Sequence, residues 1–344
     1  AVTITAQEAC TNCAICLKVD GSSVYHETGL TITVAVPAVT AVDVNKVARD
    51  DSVLFTFTGY GLGTHVKCKV VTSGTGCSGT ADTSTISGGA AQQLAVSSPG
   101  ELTTATLTFQ LATAHSNARI CFFVPSSNYG GSGAYAGSTT VTIADVVSTT
   151  PSKAGTNIQF YLYLDSSLGI TTSDMIKIAT DCAGNDAANV IAGGDGVVVQ
   201  NTDGLRRQFQ ITAAAAAAKI CLKVAGPSDY HDTTQRITIE KPSITSISPA
   251  VVAGTVATTI TINGYGLDSN IMVKFVSTDC SGDDNNDKLT GGGGYAIGNG
   301  NARTTSGSDS KTLRTAITAG KVCVKIPSAS GGTDAYEDTG HTIQ

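Results

Sequence analysis

One six-residue segment occurs four times along the chain, and its spacing restricts the possible folds more than any other feature. Each copy has a cysteine at its third position; the copies are Ala14–Val19, Arg119–Val124, Lys219–Val224 and Lys321–Ile326. Successive cysteines, from Cys16 to Cys323, lie 105, 100 and 102 residues apart. Two packed antiparallel sheets take about 100 residues, so the period predicts one β-sandwich per repeat.

The residues after each copy alternate between β-branched and polar side chains, which is typical of half-buried strands. These runs follow a tyrosine and are Thr31–Val34, Val141–Ile143, Ile237–Ile239 and Thr342–Ile343. Helical periodicity is nearly absent, so the sequence predicts an all-β chain of tandem immunoglobulin-like antiparallel β-sandwiches. The exception is the run from Ala213 to Ala218, which predicts a helical turn between strands because alanine favours helix.

A second pattern recurs in the front part of the repeats. In the third full repeat it reads Pro-x-Ile-x-x-Ile-x-Pro from Pro242 to Pro249, then Ile-Thr-Ile-Asn-Gly-Tyr-Gly-Leu up to Leu267. This repeat resembles the IPT/TIG type of immunoglobulin-like domain. The first repeat keeps the Gly-Tyr-Gly turn, whereas the second keeps only the strand. The resemblance implies a rigid spacer or interaction module, as in extracellular receptors, microbial surface proteins and some transcription factors, and it brings no catalytic residues.

The repeats divide the chain into four predicted segments. Residues 1–36 resemble only the back half of a repeat and form an incomplete half-domain. Residues 37–146 and 147–242 are predicted to be immunoglobulin-like domains, and residues 243–344 an IPT/TIG-like domain whose last strand is truncated.

The ten cysteines, in a chain with only 14% charged residues, favour disulfides and an extracellular or cell-surface location. Each full repeat has a second cysteine upstream, which predicts the bridges Cys77–Cys121, Cys182–Cys221 and Cys280–Cys323. Four cysteines remain, and they are candidates for further or inter-subunit bridges: Cys10, Cys13, Cys16 and Cys68. The Cys-x-x-Cys-x-x-Cys run lacks the fourth ligand of an iron–sulfur site. Cys68 is predicted to be a buried thiol or to pair with Cys10 or Cys13.

The two ends predict how copies of the chain associate. A sandwich that lacks strands exposes unpaired backbone groups, and such edges drive association. We expect the strands Val2, Thr3, Ile4 and Thr5 and Thr342 and Ile343 to form a subunit interface by strand donation. A head-to-tail contact that does not close gives a helical filament. The predicted function is therefore the protomer of an extracellular fibre, a homopolymer; the competing interpretation of the ends is a cut through a longer repeat protein.

The alternative function is a cell-surface adhesin or carbohydrate-binding stalk, for which Tyr60 and Tyr265, expected to be exposed on the repeated turns, are the best ligand candidates. The chain has no Asn-x-Ser/Thr acceptor, so covalent glycans would be O-linked to Ser and Thr.

No enzyme motif occurs in the chain, and no cofactor is predicted. The tyrosines of Tyr25-His26 and Tyr230-His231 are interpreted as packing anchors of a hairpin. The net charge of −6 without a basic block argues against nucleic acid, and no apolar run is long enough for a membrane span.

A calcium loop is the less favoured interpretation of Asp283, Asn285 and Asp287. Lys288 and Gly294 stand where such a loop needs Gly and Glu, so a solvated acidic loop is expected.

Overall fold

The computed structural model shows strands and loops and, over the residues it describes, no helix. It describes residues 10–78, 85–96, 103–126, 131–165, 167–202, 204–226, 229–254, 256–267, 270–284, 288–289, 292–296, 306–312, 318–327 and 332–344. The predicted all-β fold class is confirmed. No helix in this part of the chain is long and apolar enough to cross a membrane.

The strands are numbered in chain order. They are β1 (Cys10–Leu17), β2 (His26–Val34), β3 (Ala38–Val42), β4 (Lys46–Ala48), β5 (Ser52–Tyr60), β6 (Lys67–Val71), β7 (Gln92–Gln93), β8 (Thr104–Gln110), β9 (His115–Phe123), β10 (Tyr135–Val146), β11 (Lys153–Gly155), β12 (Gln159–Tyr163), β13 (Ser167–Leu168), β14 (Met175–Ala179), β15 (Val197–Val198), β16 (Gln200–Asn201), β17 (Leu205–Gln210), β18 (Ala215–Lys223), β19 (His231–Glu240), β20 (Ser243–Ser248), β21 (Ala257–Tyr265), β22 (Met272–Val276), β23 (Tyr295–Ala296), β24 (Ser306–Thr312), β25 (Gly320–Lys325) and β26 (Tyr336–Ile343).

The chain forms two compact units, residues 1–145 and 146–344. The first unit begins with β1 and β2, which form a two-stranded sheet of their own. The first module follows. One of its sheets has the order β3-β5-β8; the other joins β10, β9, β6 and β7, with β4 parallel to β10. Phe55, Phe57 and Phe109 fill the space between these sheets.

The second unit holds two further modules of the same plan. In the second module, the sheet β12-β17-β16 faces the sheet β11-β19-β18-β14-β15. In the third module, β20-β21-β24 faces β23-β22-β25-β26. In the third module Ile260, Val273 and Phe275 are among the residues that fill the core between the two sheets.

The prediction of a helical turn at Ala213 to Ala218 is wrong, because Ala215–Ala218 are part of β18. Ala215 pairs with Ile239 and Ala218 with Ile237, and the Thr238 hydroxyl donates a hydrogen bond to the carbonyl of Ala216 at 2.9 Å. Cross-strand pairing outweighs the weak intrinsic preference of alanine for helix.

Candidate functional site

Every module ends with the same two-stranded element, which we call the back hairpin; the strands of the module before it are its front half. The back hairpins of the three modules are β9–β10, β18–β19 and β25–β26, and β1–β2 is a fourth hairpin of the same kind. In β1–β2 the Thr28 hydroxyl donates to the carbonyl of Ile15 at 2.6 Å. Thr233 makes the same bond to Ile220 in the second module, so the two hairpins share their internal geometry.

The register of the strands supports the same equivalence. Cys16 lies opposite Glu27 in the N-terminal hairpin, as Cys221 lies opposite Asp232 in the second module. Equivalent residues of these two hairpins therefore differ in number by 205.

The second module shows what normally covers a back hairpin. One face packs into the core, where Leu222 is 1% and Ile237 is 0% exposed. On the other face, Cys221 is bonded to Cys182 beside the buried Tyr230. Both edges are occupied, because β14 pairs with β18 and β11 pairs with β19. The front half thus covers both faces and both edges.

The N-terminal hairpin exposes the same positions. Leu17, the equivalent of Leu222, is 62% exposed, and Ile32, the equivalent of Ile237, is 51% exposed. Tyr25 is exposed as well, and Cys16 is an exposed free thiol. Over the described residues β1 and β2 pair only with each other. The N-terminal hairpin therefore exposes the positions that the front half covers in the second module.

The structure forms four disulfides. Three of them join the second cysteine of a repeat to its cysteine strand: Cys77–Cys121, Cys182–Cys221 and Cys280–Cys323. The fourth joins Cys10 to Cys13, so Cys68 pairs with neither of them. Cys68 is a fully buried free thiol in the first module, and burial raises its pKa above the ordinary value.

A buried lysine in each module was missed by the sequence reasoning. Each lies over the ring of the tyrosine of the back hairpin, with the ammonium 4.0 to 4.5 Å from the ring centroid; the pairs are Lys69–Tyr135, Lys177–Tyr230 and Lys274–Tyr336. The exposed fraction of each lysine is 3% or less. The available signal was a lysine in the middle of an apolar strand in all three repeats, as in Met-Ile-Lys-Ile-Ala of β14.

Two of these lysines, Lys177 and Lys274, donate hydrogen bonds to the loop that carries the disulfide. The Lys177 ammonium donates to the carbonyls of Ala183, Asn185 and Ala188 at 3.0 to 3.3 Å. Burial lowers the pKa of Lys177. Three charged hydrogen bonds compensate for removing the ammonium from water, so the site is structural.

The acidic loop, for which calcium is the less favoured interpretation, overlaps this arrangement. The carbonyl of Asp283 accepts a hydrogen bond from the Lys274 ammonium at 3.1 Å, while Asn285 and Asp287 lie outside the described residues. Within the described part of the chain, no three His, Cys, Asp or Glu side chains could hold a metal together.

The predicted interface strands differ in their surroundings. Val2, Thr3, Ile4 and Thr5 lie outside the described residues. Thr342 pairs with Lys321, and Ile343 is fully buried in the core of its own module. The third module is therefore closed by its own final strand.

Of the two candidate aromatic residues, only Tyr60 is exposed, at 44%. Tyr265 is half-buried, contrary to the expectation of an exposed pair. The Lys153 ammonium lies 5.2 Å from the centroid of its ring. Burial and a hydrogen bond to Glu240 raise the pKa of the Tyr265 hydroxyl, so this residue belongs to the junction of the second and third modules.

Comparison with known proteins identifies the third module. The IPT/TIG domain model matches residues 242–290, so the chain contains an IPT/TIG domain, as predicted. No curated protein matches the chain.

Several solved structures are similar at low identity. One is the plexin A4 extracellular region, at 11% identity and a TM-score of 0.28, with 88% of this chain and 34% of that one covered. The chain thus spans about a third of that structure. Another is the Bacteroides ovatus mixed-linkage glucan utilization locus SGBP-B in complex with a mixed-linkage heptasaccharide, at 12% identity and a TM-score of 0.30, with 91% and 68% covered.

Proposed function

We propose that the chain is the structural subunit of an extracellular fibre, in which its N-terminal hairpin completes an immunoglobulin-like module on the front half of a neighbouring subunit. The observation that supports this most is the contrast between Leu17 and Ile32, which are exposed, and their equivalents Leu222 and Ile237, which are buried. Three copies of the same hairpin within the chain are covered by a front half, so a front half is the partner that fits the fourth.

The free energy of this association is expected to be strongly favourable. Burying a leucine or isoleucine side chain contributes roughly 1.5–3 kcal/mol, and the free edges of β1 and β2 would gain main-chain hydrogen bonds by strand addition. Each described front half already holds a back hairpin of its own. The proposal therefore requires each subunit to carry one further front half, in addition to those among the described residues.

Cys16 extends the proposal to a covalent bond between subunits. It occupies the position at which the three modules have Cys121, Cys221 and Cys323, each bonded to a cysteine of its front half. Joining Cys16 to the acceptor cysteine forms one S–S bond and releases two protons and two electrons. The disulfide of a secretory thiol–disulfide oxidoreductase takes up both and becomes a dithiol.

Assembly of this kind runs head to tail, because the hairpin and the acceptor are different surfaces. A repeated contact of this type that does not close produces a fibre. The disulfides and the low content of charge fit an oxidising, extracellular setting, where O-linked glycans on Ser and Thr would coat the fibre.

The test replaces Leu17 and Ile32 together by Asp in the natural source cell and images the secreted material by negative-stain electron microscopy. We expect the fibres to be lost, because two carboxylates cannot enter the acceptor core. The control is Leu54→Asp, at a residue of β5 that is exposed on the outside of the first module.

The control should leave fibres intact, and thermal unfolding followed by circular dichroism should show that the modules of both variants are folded. Normal fibres from the hairpin variant would refute the proposal.

A further inference from the structure

The junction of the second and third modules shows how one module receives the one before it. The Gly-Tyr-Gly turn of the third module, residues 264–266, touches β11 of the second module. A Cβ on Gly266 would lie 2.6 Å from the Cα of Gly155, and one on Gly155 would lie 2.7 Å from the Cα of Gly266. The ring of Pro242 closes the same space. Only two glycines allow the backbones to approach this closely.

The tyrosine of the turn binds the same strand by its side chain. Lys153, two residues before Gly155, lies over the ring of Tyr265 and forms an ion pair with Glu240 at 2.9 Å. We call this surface the seat; it consists of the turn at residues 264–266, Pro242 and the edge of the back hairpin at Thr238–Glu240. The strand it receives, β11, runs parallel to Thr238–Glu240 of the back hairpin.

The first module carries a seat of the same construction. Gly61 has a φ of +62°, like the +63° of Gly266, and a Cβ on it would lie 3.0 Å from the ring of Pro37. Tyr60 extends from this seat into solvent. The segment that corresponds to Thr238–Glu240 is Thr33–Ala35. On one side Val34 pairs with Cys10 of β1, and over the described residues no strand pairs with the other side.

We infer that Tyr60, Gly61 and Pro37, with the edge Thr33–Ala35, receive the first strand of the acceptor front half, and that this strand carries a glycine opposite Gly61. This inference rests on the proposed function and adds a second surface to it. The occupied seat of Gly266 supplies the argument, since the same turn there holds a Lys-Ala-Gly strand.

The first module provides a contrasting case in the sequence. Its equivalent strand, β4, reads Lys46-Val47-Ala48 and ends in alanine, and the repeat that follows it has no Gly-Tyr-Gly turn. β11, which ends in glycine, is thus followed by a module with the Gly-Tyr-Gly turn, whereas β4, which ends in alanine, is followed by a module without it. The acceptor is therefore a front half of the β11 type.

The experiment supplies such a front half within the full chain. A copy of residues 147–210, the front half of the second module, replaces residues 1–5. The copy then stands the same number of residues before β1 as the front half of the second module stands before β18. Two variants are made in the grafted copy alone: Gly155→Ala, and Ser152→Ala as the control at an exposed position. Tetranitromethane, which nitrates accessible tyrosines, reports on Tyr60, and peptide mapping reports on the disulfide of Cys16.

We expect Cys16 to be bonded to the grafted copy of Cys182 and the nitration of Tyr60 to fall to the rate of Tyr265. In the grafted Gly155→Ala variant Cys16 stays bonded while Tyr60 returns to its original rate; Ser152→Ala behaves like the parent graft. Fast nitration of Tyr60 with Cys16 bonded would overturn the seat alone. An unbonded Cys16 would overturn both the seat and the complementation of the hairpin on which the seat rests. Normal fibres from the Leu17 and Ile32 variant would refute assembly between subunits alone, because the graft tests the seat within a single chain.

Discussion

The N-terminal hairpin and the back hairpin of the second module have nearly the same local structure but opposite surroundings. Both have the threonine hydrogen bond between their strands and a cysteine opposite an acidic residue. Yet Leu17 is exposed and Leu222 is buried. The comparison teaches that the local sequence is sufficient to define the hairpin, whereas the burial of its side chains depends on a front half, such as the one whose strand β14 pairs with β18.

The largest test of this comparison truncates the two equivalent leucines. Leu222→Ala should lower the free energy of unfolding of the second module by about 3 kcal/mol, because a cavity replaces a fully buried side chain. Leu17→Ala should change the stability of the isolated chain by less than about 0.5 kcal/mol. Hydrogen exchange of the β18 and β1 amides measures both. Equal losses at the two positions would show that the N-terminal hairpin is already covered.

A second test concerns the lysine that the front half brings to the hairpin. Lys177→Met should destabilise the second module by about 2 kcal/mol, because three buried loop carbonyls lose their donor. The matched control is Lys223→Met, where a half-exposed ammonium lies 3.7 Å from Asp186 and contributes less than about 1 kcal/mol. Urea unfolding of the full chain measures the difference. If both variants were equally stable, the lysine would not be what holds the disulfide loop.

Much of the fold follows from patterns that depend on neighbours in the chain. Alternation predicts the strands, and the repeated cysteine strand predicts the period, because both reflect local geometry. The turn of the third repeat is recognisable because Gly264 and Gly266 must leave room for Ser243 and Gly155.

What the sequence does not show depends on distant contacts. A lysine such as Lys177 is expected at the surface from its charge, but its ammonium is buried because it donates hydrogen bonds to loop carbonyls. Ala215–Ala218 favour a helix until β19 pairs with them. Tyr265, which the sequence predicts to be exposed, is half-buried at the junction, where Lys153 of the preceding module lies over its ring. Each of these outcomes is decided by a partner that no local pattern contains.

The smallest expected effect on stability concerns an ion pair. It is present at the junction of the second and third modules and absent at the junction of the N-terminal hairpin and the first module. Lys241 and Glu337 meet at 2.8 Å, whereas the equivalent residues of the first module are Val36 and Ala136. The hydrogen bond from Lys241 is the main cause that lowers the pKa of Glu337 below its ordinary 4.5. Because the folded pKa is the lower one, this contribution is complete above about pH 4.5 and is lost as the pH falls through the folded pKa.

The pair is exposed to solvent, so its contribution is below about 1 kcal/mol. The measurement compares the unfolding of the parent chain with that of Glu337→Gln between neutral and acidic pH, since the difference removes the titration of all other carboxylates. The parent should be the more stable at neutral pH, and the difference should shrink in acid. An Ala136→Gln variant controls for a polar side chain at the equivalent position of the first module and should show no such pH dependence. A difference that grows in acid would mean that Glu337 is held by something other than Lys241, and the two junctions would then differ in more than this one ion pair.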